Sequence, residues 1–100
     1  MKRGVLEYCI LTILSEGKAY PAEILAKMQE AKLLVLEGTI YPLLTRLKDS
    51  GLLSYNWVES TQGPPRKYYE ITKSGKEICE ELAETWDALV LAVTTITKEK

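Results

Sequence analysis

Apolar residues recur at three-to-four spacing along the first sixteen positions: Val5, Leu6, Cys9, Ile10, Ile13 and Leu14. That period is the signature of one face of a helix, and Gly17 stands where a glycine after the last turn would end it. The pattern predicts a first helix over about 3–16. Pro21 suits a first helical position, and Ile24, Leu25 and Met28 make a second apolar face, so a second helix is expected over about 20–31. A short apolar link, Leu33-Leu34-Val35-Leu36, leads to Ile40, Leu43, Leu44 and Leu47, the inward face of a third helix stopped by Ser50-Gly51. Three short helices with brief connections suggest a helix-turn-helix core.

After Gly51 the period changes from about 3.6 to 2. Leu53, Tyr55 and Trp57 alternate with Ser54, Asn56 and Val58, which predicts a strand over about 52–59. Tyr69 and Ile71 alternate with Tyr68, Glu70 and Thr72, a second strand over about 66–72. Between them Ser60-Thr61-Gln62-Gly63-Pro64-Pro65 is dense in turn formers, and its prolines cannot donate ladder hydrogen bonds. The expected result is a hairpin with a stiff projecting tip. A three-helix core followed at once by such a hairpin reads as a winged helix-turn-helix, mainly α with a small β element.

From Ser74 to about Thr97 the pattern is helical again. Either Ser74 with Glu77 in a capping box, or Thr72, would start this helix. Ile78, Leu82, Trp86, Leu89, Val93 and Ile96 form a continuous seam, with Glu80, Glu81, Glu84 and Asp87 off it. At ~1.5 Å per residue the seam runs far beyond what one small core can cover. The expectation is therefore a winged-helix unit over 1–73 and a long C-terminal dimerisation helix over 74–100, together one compact body and a homodimer. A helix packed back on its own domain is the alternative.

Charge sharpens this picture. The net charge of the 100 residues is −1, yet residues 1–76 hold eleven basic and eight acidic side chains and residues 77–100 hold two basic and six acidic. A basic working surface and an acidic element kept away from it fit that asymmetry. With Ile40, Leu43, Leu44 and Leu47 inward, the third helix turns out Gly38, Thr39, Tyr41, Pro42, Thr45, Arg46, Lys48 and Asp49. Hydroxyls can bond to base edges or phosphates, and Arg and Lys neutralise phosphates. A polar outer face is also what any surface helix has, so this helix alone decides nothing. The hairpin adds Gly63, Arg66 and Lys67 beside the tip, where a wing would lie along a DNA backbone or enter the minor groove. Tyr68 there either meets phosphate or is a half-buried strand residue. Tyr20, at the start of the second helix, completes the candidate double-stranded DNA contacts.

Other chemistry is poorly supplied. There is no His, which excludes His-containing zinc sites and His-dependent nucleophile arrangements. The six glycines are scattered singly, with no phosphate-binding loop, and the Glu77–Glu84 series reads as a solvated helix face. No enzyme activity, cofactor or metal is expected. Cys9 and Cys79 are expected to be buried reduced thiols. The basic start at Met1-Lys2-Arg3 resembles a signal peptide only as far as Glu7, no cleavage site follows, and no apolar stretch approaches the roughly 20 residues of a membrane span. A cytoplasmic protein is expected.

Two linked stretches carry a resemblance: Gly38-Thr39-Ile40-Tyr41-Pro42-Leu43-Leu44-x-Arg46-Leu47-x-x-Ser50-Gly51-Leu52-Leu53, and Gly63-Pro64-Pro65-Arg66-Lys67-Tyr68-Tyr69-x-Ile71-Thr72-x-x-Gly75. Together they closely resemble the PadR family of bacterial transcriptional regulators, over essentially the whole chain. The resemblance implies a homodimer that binds palindromic operator DNA, usually as a repressor released by a small molecule. The short C-terminus is similar to the subgroup with a single dimerisation helix. There the residue at Trp86 pairs across the dimer and sandwiches planar, often cationic compounds. By position Tyr8, Thr12 and Val90 would line that pore, and Leu82, Leu89 and Val93 would flank Trp86 in the interface. The chain departs from the drug-binding members in Tyr8, larger than their residue, and in Val90, which lacks their acidic group; Asp87 offers a charge from a different angle. From the residues alone, Trp86 is either a core or dimer anchor or a platform for an aromatic effector. The alternative to a DNA-binding regulator is a winged helix that docks a partner protein.

Overall fold

A computed structural model describes residues 2–98, with side chains from Gly4 onward; Met1 and the last two residues of the expected 74–100 segment lie outside the described residues. The elements in chain order are α1 (Lys2–Ser15), α2 (Pro21–Glu30), α3 (Glu37–Asp49), β1 (Leu53–Val58), β2 (Arg66–Ile71) and α4 (Lys73–Lys98). Each falls within a residue or two of its periodicity.

Helix α1 is the centre of the molecule. Leu6, Ile10, Leu11 and Leu14 are buried, and Cys9 and Ile13 pack at the core margin. A helix apolar on nearly every side must be covered on several sides; here α2, β2 and α4 all pack against it. Ile24 and Met28 of α2 and Ile40, Leu43, Leu44 and Leu47 of α3 close the core, as their spacing predicts. Tyr69 and Leu53 seal it from the hairpin side.

Helix ends follow local chemistry. Gly51 (φ +81°) donates to the Lys48 carbonyl and Leu52 to the Leu47 carbonyl, so α3 ends in a Schellman motif that turns the chain directly into β1. The end of α2 has the same two bonds, Lys32 to Gln29 and Leu33 to Met28, but with Lys32 in the left-handed position (φ +65°).

The hairpin pairs antiparallel in the register Leu53↔Ile71, Tyr55↔Tyr69 and Trp57↔Lys67. Ala19, in the α1–α2 turn, adds a bridge: its N–H donates to the Tyr69 carbonyl at 3.1 Å and its carbonyl accepts from the Tyr69 N–H at 2.8 Å. The wing is thus tied to the helix-turn-helix at its base and free at its tip.

Thr72, not Ser74, caps α4. Its hydroxyl accepts from the Gly75 N–H at 3.0 Å and donates to the Gly51 carbonyl at 2.7 Å. One side chain therefore starts α4 and pins it to the end of α3. Gly75 is buried at this junction. A Cβ there would overlap the Leu52 carbonyl oxygen and come within 2.7 Å of Ile71 Cγ1. The structure is a winged helix with a long fourth helix.

Helix α4 runs antiparallel to α1: Thr12 meets Cys79 and, one or two turns on, Tyr8 meets Trp86. Ile78, Cys79 and Leu82 join the core margin, whereas Leu89, Val90, Val93 and Ile96 are exposed. Twelve residues of α4 follow Trp86 but only six of α1 precede Tyr8, so at ~1.5 Å per residue α4 outruns its cover. The molecule is 57 Å long and 27 Å wide.

Candidate nucleic-acid interface

Helical spacing divides the outer surface of α3 into three strips. Gly38, Pro42, Thr45 and Asp49 form the crest, opposite the buried Ile40–Leu47 face. Tyr41 and Lys48 lie on the flank toward α2 and the hairpin. Tyr41 borders the α2–α3 groove beside Pro21 and Leu25, and its hydroxyl lies 3.4 Å from Glu37 Oε1. Thr39 and Arg46 lie on the opposite flank. Arg46 Nε is 3.8 Å from Glu7 Oε2 on α1, so this guanidinium is drawn back toward the core rather than out along the crest. Thr39 and Pro42 border an apolar trough of about 480 Å³ with Leu6, Leu34 and Leu36. In the sequence all of these share one outward face; the fold brings Tyr41, Thr45 and Lys48 together and sets Thr39 and Arg46 apart.

The wing cations separate in the same way. Trp57↔Lys67 and Tyr55↔Tyr69 pairing places Lys67 on the face shared by Leu53, Tyr55, Trp57, Tyr69 and Ile71. Arg66 is on the other face with Tyr68. Each cation meets an aromatic ring. The Arg66 guanidinium lies 4.7 Å from the Tyr20 ring centroid, Tyr20 packs edge-on against Tyr68 at 5.2 Å, and Lys18 Nζ lies 5.7 Å from the Tyr68 ring. Lys67 Nζ lies 4.1 Å from the Tyr55 ring, 5.5 Å from Tyr69 and 5.8 Å from Trp57. Lys48 Nζ, from α3, is 5.6 Å from the same Tyr55 ring and 3.7 Å from Asp49 Oδ1.

This arrangement has an electrostatic consequence. A ring face attracts a cation through its quadrupole without cancelling its charge, whereas a carboxylate would neutralise it. Ring contacts of this kind hold Lys18, Arg66 and Lys67 in place without setting a carboxylate against them. Lys18 and Tyr55 were not singled out in the sequence. The available signal was the interleaving of Lys and Arg with Tyr and Trp through 18–20 and 55–69, together with the two-residue strand period that separates Arg66 from Lys67.

At the tip, Gly63 is exposed, its φ is not positive, and a Cβ would meet nothing within 4 Å. Neither backbone conformation nor packing within the protomer requires a glycine there. Tyr20 begins α2, with Glu23 Oε1 accepting from its N–H at 3.1 Å.

The second group of sequence-selected residues gathers on α1 and α4. Tyr8 and Trp86 are both half-buried and stacked, ring centroids 6.4 Å apart and planes 6° apart. Thr12 donates to the Tyr8 carbonyl at 2.9 Å, and its hydroxyl lies 3.7 Å from Cys79 Sγ. Leu82 is half-buried against the core, and Leu89, Val90 and Val93 are exposed. Cys9 and Cys79 are free thiols, as expected, but half-buried rather than buried; desolvation pushes the Cys9 thiol up from its ordinary value. Among the described residues no cluster of His, Cys, Asp or Glu could hold a metal ion, and no helix is long and apolar enough to cross a membrane.

Comparison with known proteins agrees with this geometry. The family described as transcriptional regulator PadR-like matches residues 10–81. A PadR-like transcription factor from Bacteroides fragilis is 54% identical, with a TM-score of 0.85 over 96% of this chain and 93% of its own. A PadR-like transcriptional regulator from Bacillus cereus is 39% identical, with a TM-score of 0.83 over 93% of this chain and 91% of its own. Bacillus subtilis PadR, solved in complex with operator DNA, is 27% identical with a TM-score of 0.73; the match covers 79% of this chain and 46% of that one. A family match over the winged helix and the start of α4, joined to relatives that superimpose along nearly the whole length, places the protein: the chain belongs to the PadR-like family of transcriptional regulators.

Proposed function

We propose that this regulator is a cytoplasmic repressor that binds near-palindromic operator DNA as a homodimer, with residues 1–73 as the DNA-binding unit and 74–100 as the dimerisation helix. The carrying observation is the set of cations held over aromatic rings on the two faces of the hairpin, Lys18 and Arg66 on one and Lys67 with Lys48 of α3 on the other. Phosphate contacts supply most of the affinity and base-edge contacts the sequence preference. In this reading Thr45, Tyr41 and Pro42 face the major groove. Lys48, Tyr20, Arg66 and Lys67 meet phosphates, and Gly63 lets the wing tip approach the backbone. Thr39 and Arg46 sit at the edge of the footprint. The operator complex of Bacillus subtilis PadR supports DNA as the partner.

The dimer rests on the exposed half of α4. Burying one such aliphatic side chain contributes about 1.5–3 kcal/mol, and Leu89, Val90, Val93 and Ile96 all lack cover in the protomer. Two separate apolar troughs flank α1, one between α1 and α2 lined by Cys9 and Met28, the other lined by Leu6 and the exposed Leu34 and Leu36. A two-fold pair would seat each α4 end on the other copy's troughs. Trp86 and Val90 would then lie near the dyad with Tyr8 and Thr12, where a small planar aromatic effector has its place. Tyr8 already covers one face of Trp86.

The test is selection of bound duplexes from random DNA by the purified protein. Enrichment of a near-palindrome with half-site centres roughly 34–36 Å apart is expected. Arg66→Ala with Lys67→Ala should weaken binding to all sequences and flatten the salt slope by up to about two units. Absence of duplex retention even at low salt would favour a protein-docking winged helix instead.

A further inference from the structure

We propose that Tyr55 is a positioning residue for DNA binding: its single ring holds Lys48 of α3 and Lys67 of β2, so that recognition helix and wing present their charges as one unit. The inference rests on the DNA-binding reading above and adds a residue to it that touches no DNA itself.

The geometry is specific. Lys67 Nζ is 4.1 Å from the centroid of the Tyr55 ring and Lys48 Nζ is 5.6 Å from it. The two ammonium groups are therefore within about one Debye length of each other at 0.1 M salt, close enough to repel. Left alone, two long, flexible, like-charged side chains on separate elements would diverge. A ring face is attractive to both and neutralises neither. Among the described residues Lys48 pairs with Asp49, at 3.7 Å, and a pair exposed on both sides contributes little.

The ring is also well anchored. Tyr55 is half-buried, lies 5.9 Å from the buried Tyr69 ring, and pairs with it across the strands. The Schellman turn at Gly51 fixes where β1 leaves α3. A cation resting on this ring inherits the position of the core. By contrast Trp57, the third ring around Lys67, is 64% exposed and offers little constraint.

The experiment compares Tyr55→Phe and Tyr55→Leu in affinity for a nonspecific duplex across a salt series. The Phe variant keeps the ring and should retain binding. The Leu variant keeps apolar bulk without the ring; it should bind roughly three- to tenfold more weakly, with a salt slope lower by up to about two units. A folded Leu variant with wild-type affinity and slope overturns the proposal. A second arm does not depend on Tyr55 variants folding: Lys48→Met and Lys67→Met, singly and together. Losses that fail to multiply, the double variant losing less than the product, are expected for groups acting as one unit; strictly multiplicative losses overturn it. In the DNA-free protein the ε-methylene protons of both lysines should be shifted upfield by the ring current. If those shifts are present and no duplex binds, the DNA reading falls; if they are absent, the ring contact falls, whatever DNA does.

Discussion

Tyr8 and Trp86 stack across the α1–α4 contact, 6.4 Å between centroids and 6° between planes, so the tryptophan that stands at the expected effector position is partly occupied by its own chain. Stacked aromatic pairs contribute about 0.5–1.5 kcal/mol beyond their buried area, and a planar ligand inserted at that face must replace this contact. Tyr8→Ala should therefore tighten binding of a planar cationic dye at Trp86 by roughly threefold to tenfold. Quenching of Trp86 fluorescence in a Trp57→Phe background reads this directly. Equal affinity in both proteins would show that Tyr8 does not occupy the ligand face.

Val93 lies on the α4 seam beyond the reach of α1 and is half exposed. Val93→Glu should leave the protomer folded, since it disturbs no core contact, but put a charge into the interface proposed for two copies. Sedimentation should show the wild type at twice the chain mass and the variant as a monomer at the same micromolar concentration, with weaker operator binding. A monomeric wild type at that concentration would sink the dimer.

Gly75 is constrained by space. A Cβ there meets the Leu52 carbonyl oxygen and Ile71 Cγ1, and the first of these is backbone that cannot rotate away. Overpacking costs about 1–3 kcal/mol, against a gain of ~1 kcal/mol in helix propensity for Ala over Gly. Gly75→Ala should lower stability by about 1 kcal/mol net, seen as a lower urea midpoint at fixed chain concentration. Gly4, also helical but with open space around its Cβ position, is the contrast: Gly4→Ala should raise the midpoint.

Burial holds the Cys9 thiol in its neutral form, above its usual value of 9.0. Thiolate is the reactive species, so alkylation at neutral pH should be slow in the folded protein and fast in urea. Because the folded state raises this pKa, the associated stability is complete below the unfolded value and falls as pH rises past about 9. Urea midpoints of wild type and Cys9→Ala should thus diverge above that pH, the wild type losing more. Parallel curves would mean that the thiol ionises equally in both states.

Much of this fold is legible in local spacing. The buried set Ile40, Leu43, Leu44 and Leu47, the alternation of Leu53, Tyr55 and Trp57, and the stop at Gly51 follow from backbone geometry that each segment carries by itself. The separation of Arg66 from Lys67 was also legible, since strand side chains alternate faces. The cap of α4 was open between Ser74 and Thr72, and only the position of the Gly51 carbonyl decided for Thr72, which bonds to both partners at once.

By itself, the sequence determined the elements, the inward face of α3 and the presence of a basic wing, because the periods of helix and strand are properties of neighbouring residues. The tertiary structure decided which residues far apart in the chain meet: Glu7 draws Arg46 back, Tyr55 collects Lys48 and Lys67, Tyr20 receives Arg66, and Tyr8 covers Trp86. It also decided that α4 outruns its own domain, since that depends on how far α1 extends beside it. Such pairings depend on how whole elements pack, and no local pattern encodes the crossing of two helices or the lean of a hairpin onto a turn.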